Sequence, residues 1–223
     1  MKVNEAIDAM YEVFGVPNNA SAPPIMQRRI LNDLNSAMQL LWSKGHRLLD
    51  YYTRSEETIT ITANNKETLL SDNIQSVLGP VRRTTDNMML RPIKSRGEYE
   101  NYSSIYAGSI TALAGAPPQA YFVDQNRGTA PDATSLSILV VPVPIINTQI
   151  TLEVSLRAPA YTTTDYTNQT QIPIPHNYAE TLLLPIARYL ACSSLFFADK
   201  SKQREPLLKA EYDRALQTLV ESA

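Results

Sequence analysis

Residues 172–223 read IPIPHNYAETLLLPIARYLACSSLFFADKSKQREPLLKAEYDRALQTLVESA, and the rest of the chain is organised around them. Pro173 and Pro175 hold the backbone extended, because proline fixes φ and disfavours the helical region in the residue before it. A long helix is expected from near Asn177, which can cap it, with Glu180 three residues on at capping-box spacing. Ala179, Leu182, Leu183, Ile186, Leu190 and Phe197 fall on one helical stripe. The polar run ADKSKQRE breaks that stripe, and Pro206 suits the first turn of a second helix. Leu208, Tyr212, Ala215 and Leu219 form the stripe of that second helix. Pro185, inside the apolar helix, removes one backbone hydrogen bond. It reads first as a bend that follows packing and second as a hinge.

A helical hairpin with two apolar faces needs something to bury them, and the N-terminus supplies it. Val3, Ile7, Met10 and Phe14 recur at helical spacing, and Gly15 followed by Pro17 is a stop signal. A second helix is expected over 25–44, with Ile30, Leu31, Leu34, Met38, Leu41 and Trp42 inward and Gly45 at its end. Two hairpins, one at each end of the chain, pack economically as a four-helix layer.

Between them the period changes. TITITA (58–63) alternates like a half-buried strand, and Asn64-Asn65 is a turn. Further strands are expected at 69–71, at 74–83 with a break at Gly79-Pro80, and at 88–93. QAYFVD, SLSILVV and QITLEVSLR read as three antiparallel strands, separated by NRGTAPDAT and PVPIIN. Tyr99, Tyr102 and Tyr106 lie at helical spacing and are expected to pack on the sheet with their hydroxyls exposed. The expected fold is therefore α+β. A helical bundle, 1–50 plus 172–223, carries an inserted antiparallel sheet or small β-sandwich of five or six strands over 51–171. Three loops stand out: 107–118, 128–133 and the Thr-rich 158–171, long enough to suggest a use.

The totals narrow the function. A hydrophobic fraction of 43% supports a sizeable core, and a formal charge of −2 argues against a protein that coats nucleic acid. The lone Cys192 excludes an internal disulfide and reads as a small core residue. The N-terminal MKVNEAIDAMYEVFG carries acidic residues where a signal peptide would be apolar, and no run reaches the roughly 18 apolar residues of a membrane span. His46 and His176 have no second ligand type beside them. No HExxH, CxxC, Walker, GxGxxG or GxSxG pattern occurs. The expectation is no catalytic residue, no metal and no cofactor. Glu56-Glu57 read as solvated charges. Two basic groups are candidates for a surface facing nucleic acid or a partner: Lys44 and Arg47 around His46, and Arg82-Arg83 near Arg91, Lys94 and Arg96.

Taken in order, these features resemble the head–tail connector, or adaptor, proteins of tailed bacteriophages, the tail tubular protein A type included. The resemblance rests on LNSAMQLLWSKG closing the first helix pair, LGPVRR and SLSILVVPVP in the β insert, IPIPHNYAETLLLPIARYLA, and the closing AEYDRALQTL. Pro175, Tyr178, Glu180, Tyr189, Asp199 and residues 211–216 carry its C-terminal part. The resemblance implies a structural virion protein at the head–tail junction, made in the host cytoplasm. Copies would form a homo-oligomeric ring, commonly dodecameric, between the portal protein and a tail or nozzle protein. Genomic DNA would pass through the lumen without sequence-specific binding, and no membrane is involved. With no long tail after the last helix, portal contact falls to Lys200, Lys202, Arg204 and Glu221. Lys44, Arg47, Arg82 and Arg83 become candidate lumen- or partner-facing cations, and Pro185 the candidate hinge. The long loops would order against neighbours on assembly. The alternative is a small β-sandwich that binds a ligand or carbohydrate, argued from the tyrosines and the Thr-rich loops.

Overall fold

The computed structural model describes residues 1–44, 48–108, 116–127, 134–193 and 204–221. In chain order the main elements are α1 (Val3–Tyr11), α2 (Pro24–Lys44), β1 (Arg54–Ile61), β2 (Glu67–Leu69), β3 (Ile74–Val77), β4 (Arg82–Arg83) and β5 (Arg91–Pro92). They continue with α3 (Arg96–Gly108), β6 (Ala120–Arg127), β7 (Thr134–Val141), β8 (Thr148–Leu156), α4 (Thr163–Thr167), α5 (176–193) and α6 (Glu205–Glu221). The fold is α+β. The chain divides into two compact units, Met1–Thr53 with Ala158–Ala223, and Arg54–Arg157.

In the helical unit α5 is the central element. Ala179, Leu182, Leu183, Leu184, Ile186, Ala187, Ala191 and Cys192 are all buried, so its apolar surface runs around much of the helix and not along one stripe. It packs against α1, α2 and α6. α1 contributes Val3, Ile7, Met10 and Tyr11, α2 contributes Ile30, Leu34, Met38 and Leu41, and α6 contributes Leu208, Ala215 and Leu219. Phe197, expected on the stripe of α5, lies outside the described residues. α1 runs into a 3-10 turn, Glu12–Phe14, and Gly15 closes it at φ 68°, a left-handed conformation that favours glycine. α5 begins at His176 with Pro175 in the capping position, so the expected Asn177 cap does not form. The fixed φ of Pro175 sets the entry, and Glu180 instead faces His176, with Oε1 3.2 Å from Nε2.

The Thr-rich segment 158–171 belongs to this helical unit and not to the β insert. It is not a free loop awaiting a neighbour. Thr162 and Asp165 form a capping box that starts α4. Asn35 of α2 grips the main chain of Tyr161 twice: the Tyr161 N–H donates to Oδ1 at 2.7 Å and Nδ2 donates to the carbonyl at 2.9 Å. Val3 N–H donates to Thr170 O at 2.9 Å, and Ile172 N–H donates to Met1 O at 3.0 Å. The segment straps α1 and α2. Asn35→Ala removes both grips and leaves main-chain groups of Tyr161 unpaired. The expected cost is about 1–3 kcal/mol, read as a lower urea midpoint together with faster proteolysis within 158–171.

The inserted unit is a β-sandwich. One sheet has the order β1-β8-β3, with β4 also on β8, and the other has the order β2-β7-β6-β5. Ile61, Ile74, Ile150, Leu152 and Val154 of the first sheet meet Tyr121, Leu136, Ile138 and Val140 of the second in one core. β7 and β6 pair antiparallel as the sequence suggests, but β8 leaves them and pairs with β1 along its whole length. The segment PVPIIN therefore crosses from one sheet to the other. β8 turns Ile150, Leu152 and Val154 into the core and Thr151, Glu153 and Ser155 to its other face, where Thr151 is also buried. β7 is apolar on both faces because α3 covers the outer one, where Leu139 and Val141 pack with Tyr99, Ile93 and Ala120. Tyr99 is buried and its hydroxyl has no hydrogen-bond partner, contrary to the expectation of exposed hydroxyls. Burial raises its pKa.

Candidate functional site

The basic residues singled out in the sequence do not gather into one surface. Arg82 is neutralised by Glu56 across the sheet, Nη2 to Oε1 at 2.8 Å, and Arg54 by Glu153 at 3.3 Å. Arg83 is buried and grips Asp86 with two hydrogen bonds, at 3.1 and 2.6 Å. It cannot serve as a lumen- or partner-facing cation: its charge pins the turn that Asn87, at φ 57°, allows. Arg96 binds Asp124 at 2.7 Å, and Arg91 lies 5.4 Å over the ring of Tyr102. The Thr hydroxyls of the outer sheet face bond one another, Thr58 to Thr151 at 3.3 Å and Thr84 to Thr151 at 2.9 Å. Lys44 is exposed in the last turn of α2, where it complements the helix dipole. Arg47, His46, Lys200 and Lys202 lie outside the described residues.

Arg204 is not a free end either. Its Nη1 donates to the carbonyls of Glu12 at 3.3 Å and Val13 at 3.1 Å, and Arg188 Nε donates to Ala9 O at 3.2 Å. Two guanidiniums thus satisfy the carbonyls at the end of α1 and its 3-10 turn. Beside them a groove of about 280 Å³ is lined by Glu12, Val13, Arg188, Arg204, Leu207, Leu208 and Glu211. Leu207 is 64% exposed. Glu221, at the other end of α6, is exposed and accepts from Gln217 Nε2 at 2.6 Å; its neighbour Val220 is 65% exposed.

Pro185 follows a π turn, Ala179–Leu183, and the helix resumes as Leu184–Ser193. A wider turn before proline absorbs the missing donor and the ring clash. Leu182, Leu183, Leu184 and Ile186 are buried on both sides of it. A fixed bend needs such clamping and a hinge does not.

The surface feature that sequence reading passed over is the end of the sandwich away from its two chain ends. The chain enters and leaves this unit at Arg54 and Arg157, one end of β1 and β8. At the opposite end Val143, Ile145 and Ile146 are exposed on the crossing loop. That loop is held to the end of β1. Asn64 N–H donates to Pro144 O at 2.7 Å and Ala63 N–H donates to Asn147 Oδ1 at 2.9 Å. Thr84 N–H donates to Gln149 O, so the turn bearing exposed Met88 lies at the same end. The signal was present in the sequence: three aliphatics bracketed by Pro142, Pro144 and Asn147, in a segment read only as a strand separator.

No group of three or more His, Cys, Asp or Glu among the described residues could hold a metal. The described groups that burial drives to a higher pKa are Tyr11, Tyr99, Tyr121, Tyr161, Tyr166 and Asp33. None of them lines the groove. No described helix is long and apolar enough to cross a membrane. The arrangement defines an α+β protein with a helical unit and an inserted β-sandwich, and with apolar groups exposed on a hydrogen-bonded loop and on α6. No protein-family model matches the chain, and no curated protein matches it.

Proposed function

We propose that the chain is a structural virion protein of a tailed bacteriophage, one subunit of an adaptor ring between portal and tail through which the genome passes. The observation that carries this reading is the apolar end of the sandwich, where Val143, Ile145, Ile146 and Met88 are held in place by main-chain and Asn hydrogen bonds. Exposed aliphatics on a pinned loop are a standing cost in water and mark a contact surface. The charge distribution fits the same role. In the β insert Arg54, Arg82, Arg83 and Arg96 each have a carboxylate partner, which lowers what these four can contribute to holding DNA by counterion release. The alternative, a carbohydrate-binding sandwich, needs an open aromatic shelf, but Tyr99 is buried and Tyr102 lies under Arg91.

The test is copy number in purified particles, measured by quantitative mass spectrometry against the portal protein. The expected result is about one copy per portal subunit. Absence from the particle would sink the reading and favour the binding module.

A further inference from the structure

The edge strands of the sandwich are not alike. β3 carries a register shift between Ile74 and Ser76, β2 is three residues long, and β4 and β5 are two, with Pro92 closing β5. Short strands, bulges and prolines keep an edge from pairing with another chain. β1 has none of these. It runs eight residues, Arg54–Ile61, in unbroken register with β8 and without proline.

The ladder fixes which main-chain groups β1 leaves open. Glu153 O accepts from Leu78 N–H at 2.9 Å and Gln149 O accepts from Thr84 N–H at 3.0 Å, so the main chain of both residues faces away from β1. Their partners on β1 are Glu56 and Thr60, with Thr58 opposite Thr151 between them. Residues paired in this way exchange no hydrogen bonds, and their own N–H and C=O groups point to the other side. Glu56, Thr58 and Thr60 therefore each present a donor and an acceptor along one edge, and no described residue bonds those main-chain groups.

The side chains along that edge state what it takes. Ile59 is half-buried against the sandwich core, and the strand period puts Glu57 on the same face two residues away. Glu57 is half-buried and has no ion-pair partner among the described residues. An inward charge guards an edge against strands that cannot neutralise it. Beyond Ile61 the chain enters a cleft of about 500 Å³ lined by Thr62, Asn65, Glu67, Thr68 and Leu69, in which Glu67 is the charged lining residue and Leu69 is 65% exposed. We propose that the β1 edge is a strand-addition site for an extended segment of another protein, with an aliphatic residue over Ile59 and a lysine or arginine two positions away opposite Glu57. Main-chain bonds to Glu56, Thr58 and Thr60 supply the pairing, and the cation and the aliphatic residue supply the selection. β1 itself carries Glu56 and Glu57 against the single Arg54, so a second copy offers the wrong charge. The site belongs to the sandwich and does not rest on the adaptor reading.

The experiment uses the full chain and the peptide acetyl-TKTVTKT-amide, followed by amide NMR and hydrogen exchange. In the free protein the amides of Glu56, Thr58 and Thr60 should exchange fast and those of Glu57 and Ile59 slowly. The peptide is expected to bind with a dissociation constant below about 1 mM and to slow exchange at the first three. Acetyl-TETVTET-amide, and the lysine peptide N-methylated at the two threonines flanking valine, should each bind more than about tenfold more weakly. Thr58→Pro removes an outward N–H at a position where an edge strand tolerates proline, and should abolish binding with the fold intact by circular dichroism. Glu57→Lys is the second variant and should reverse the preference, taking the glutamate peptide over the lysine one. No binding by wild type, equal binding of the N-methylated peptide, protection confined to other strands, or a preference unmoved by Glu57→Lys would each overturn the proposal. Self-association of the peptide-free chain that Thr58→Pro abolishes would give the edge to a second copy and overturn it too.

Discussion

Leu183→Ala is expected to lower stability by about 3 kcal/mol, within the range of about 2–5 kcal/mol for large-to-small changes at fully buried sites. Leu183 has no exposed surface and sits on α5, the helix that touches α1, α2 and α6. Truncation removes its transfer energy and leaves a cavity that a helix held between three partners cannot close. The π turn in which it lies adds to the cost, because Pro185 two residues on restricts how the backbone can shift. Equilibrium urea unfolding reads the effect as a lower midpoint at unchanged slope. Leu207→Ala, at a 64% exposed site on α6, is the contrast and should stay within about 0.5 kcal/mol. Equal losses at the two sites would show that α5 is not the centre of the core.

Asp33→Asn is expected to stabilise the protein, and only at neutral and higher pH. Asp33 is on α2 among core residues, and its Oδ2 has no hydrogen-bond partner. Arg29, 3.6 Å away on the same helix, is more than half exposed and compensates in part. Desolvation pushes the Asp33 carboxyl up from 3.8 to about 6. Because the folded state holds the proton more tightly than the unfolded one, the contribution is fully present below about pH 3.8. It is lost as pH rises through 6, where the folded protein has to ionise a buried group. At pH 7.5 the neutral amide escapes that cost, and the gain should be on the order of 2 kcal/mol. At pH 3.5 the gain should vanish. A stability difference that stays constant from pH 3.5 to 7.5 would mean that the Asp33 carboxyl has the same pKa in the folded and unfolded states.

Several features were legible in the sequence for local reasons. Gly15 and Pro17 end the first helix because only a left-handed turn and a residue that cannot continue fit there. Pro206 enters α6 in its first turn, Asn64 adopts positive φ where a turn was expected, and TITITA pairs as a strand over Thr58 to Ile61. Each of these is fixed by the φ preferences or the side-chain period of a few neighbouring residues. Strand partnership was not legible, because it is set between residues far apart. β8 carries the alternation of a strand with one buried face, and that pattern is satisfied equally beside β7 or beside β1. The strap over 158–171 escaped for the same reason. Its composition is that of a loop, and its order comes from Asn35, more than a hundred residues away in sequence.

The candidate surfaces divide along the same line. Arg82-Arg83 look alike in sequence, yet one is a surface ion pair and the other a buried clamp on Asp86. Arg204 reads as a free cation in a polar run, and only packing brings the carbonyls of Glu12 and Val13 to it. By itself the sequence determined the two-part α+β plan, the helix stops, the turns and the placement of Cys192 in the core. Each follows from backbone preference or from apolar periodicity within a short window. Only the tertiary structure decided which strands share a sheet, which cations are neutralised, and which aliphatics stay in water at the end of the sandwich and beside α6. Those outcomes depend on which distant groups come within hydrogen-bond or van der Waals reach once the chain has closed.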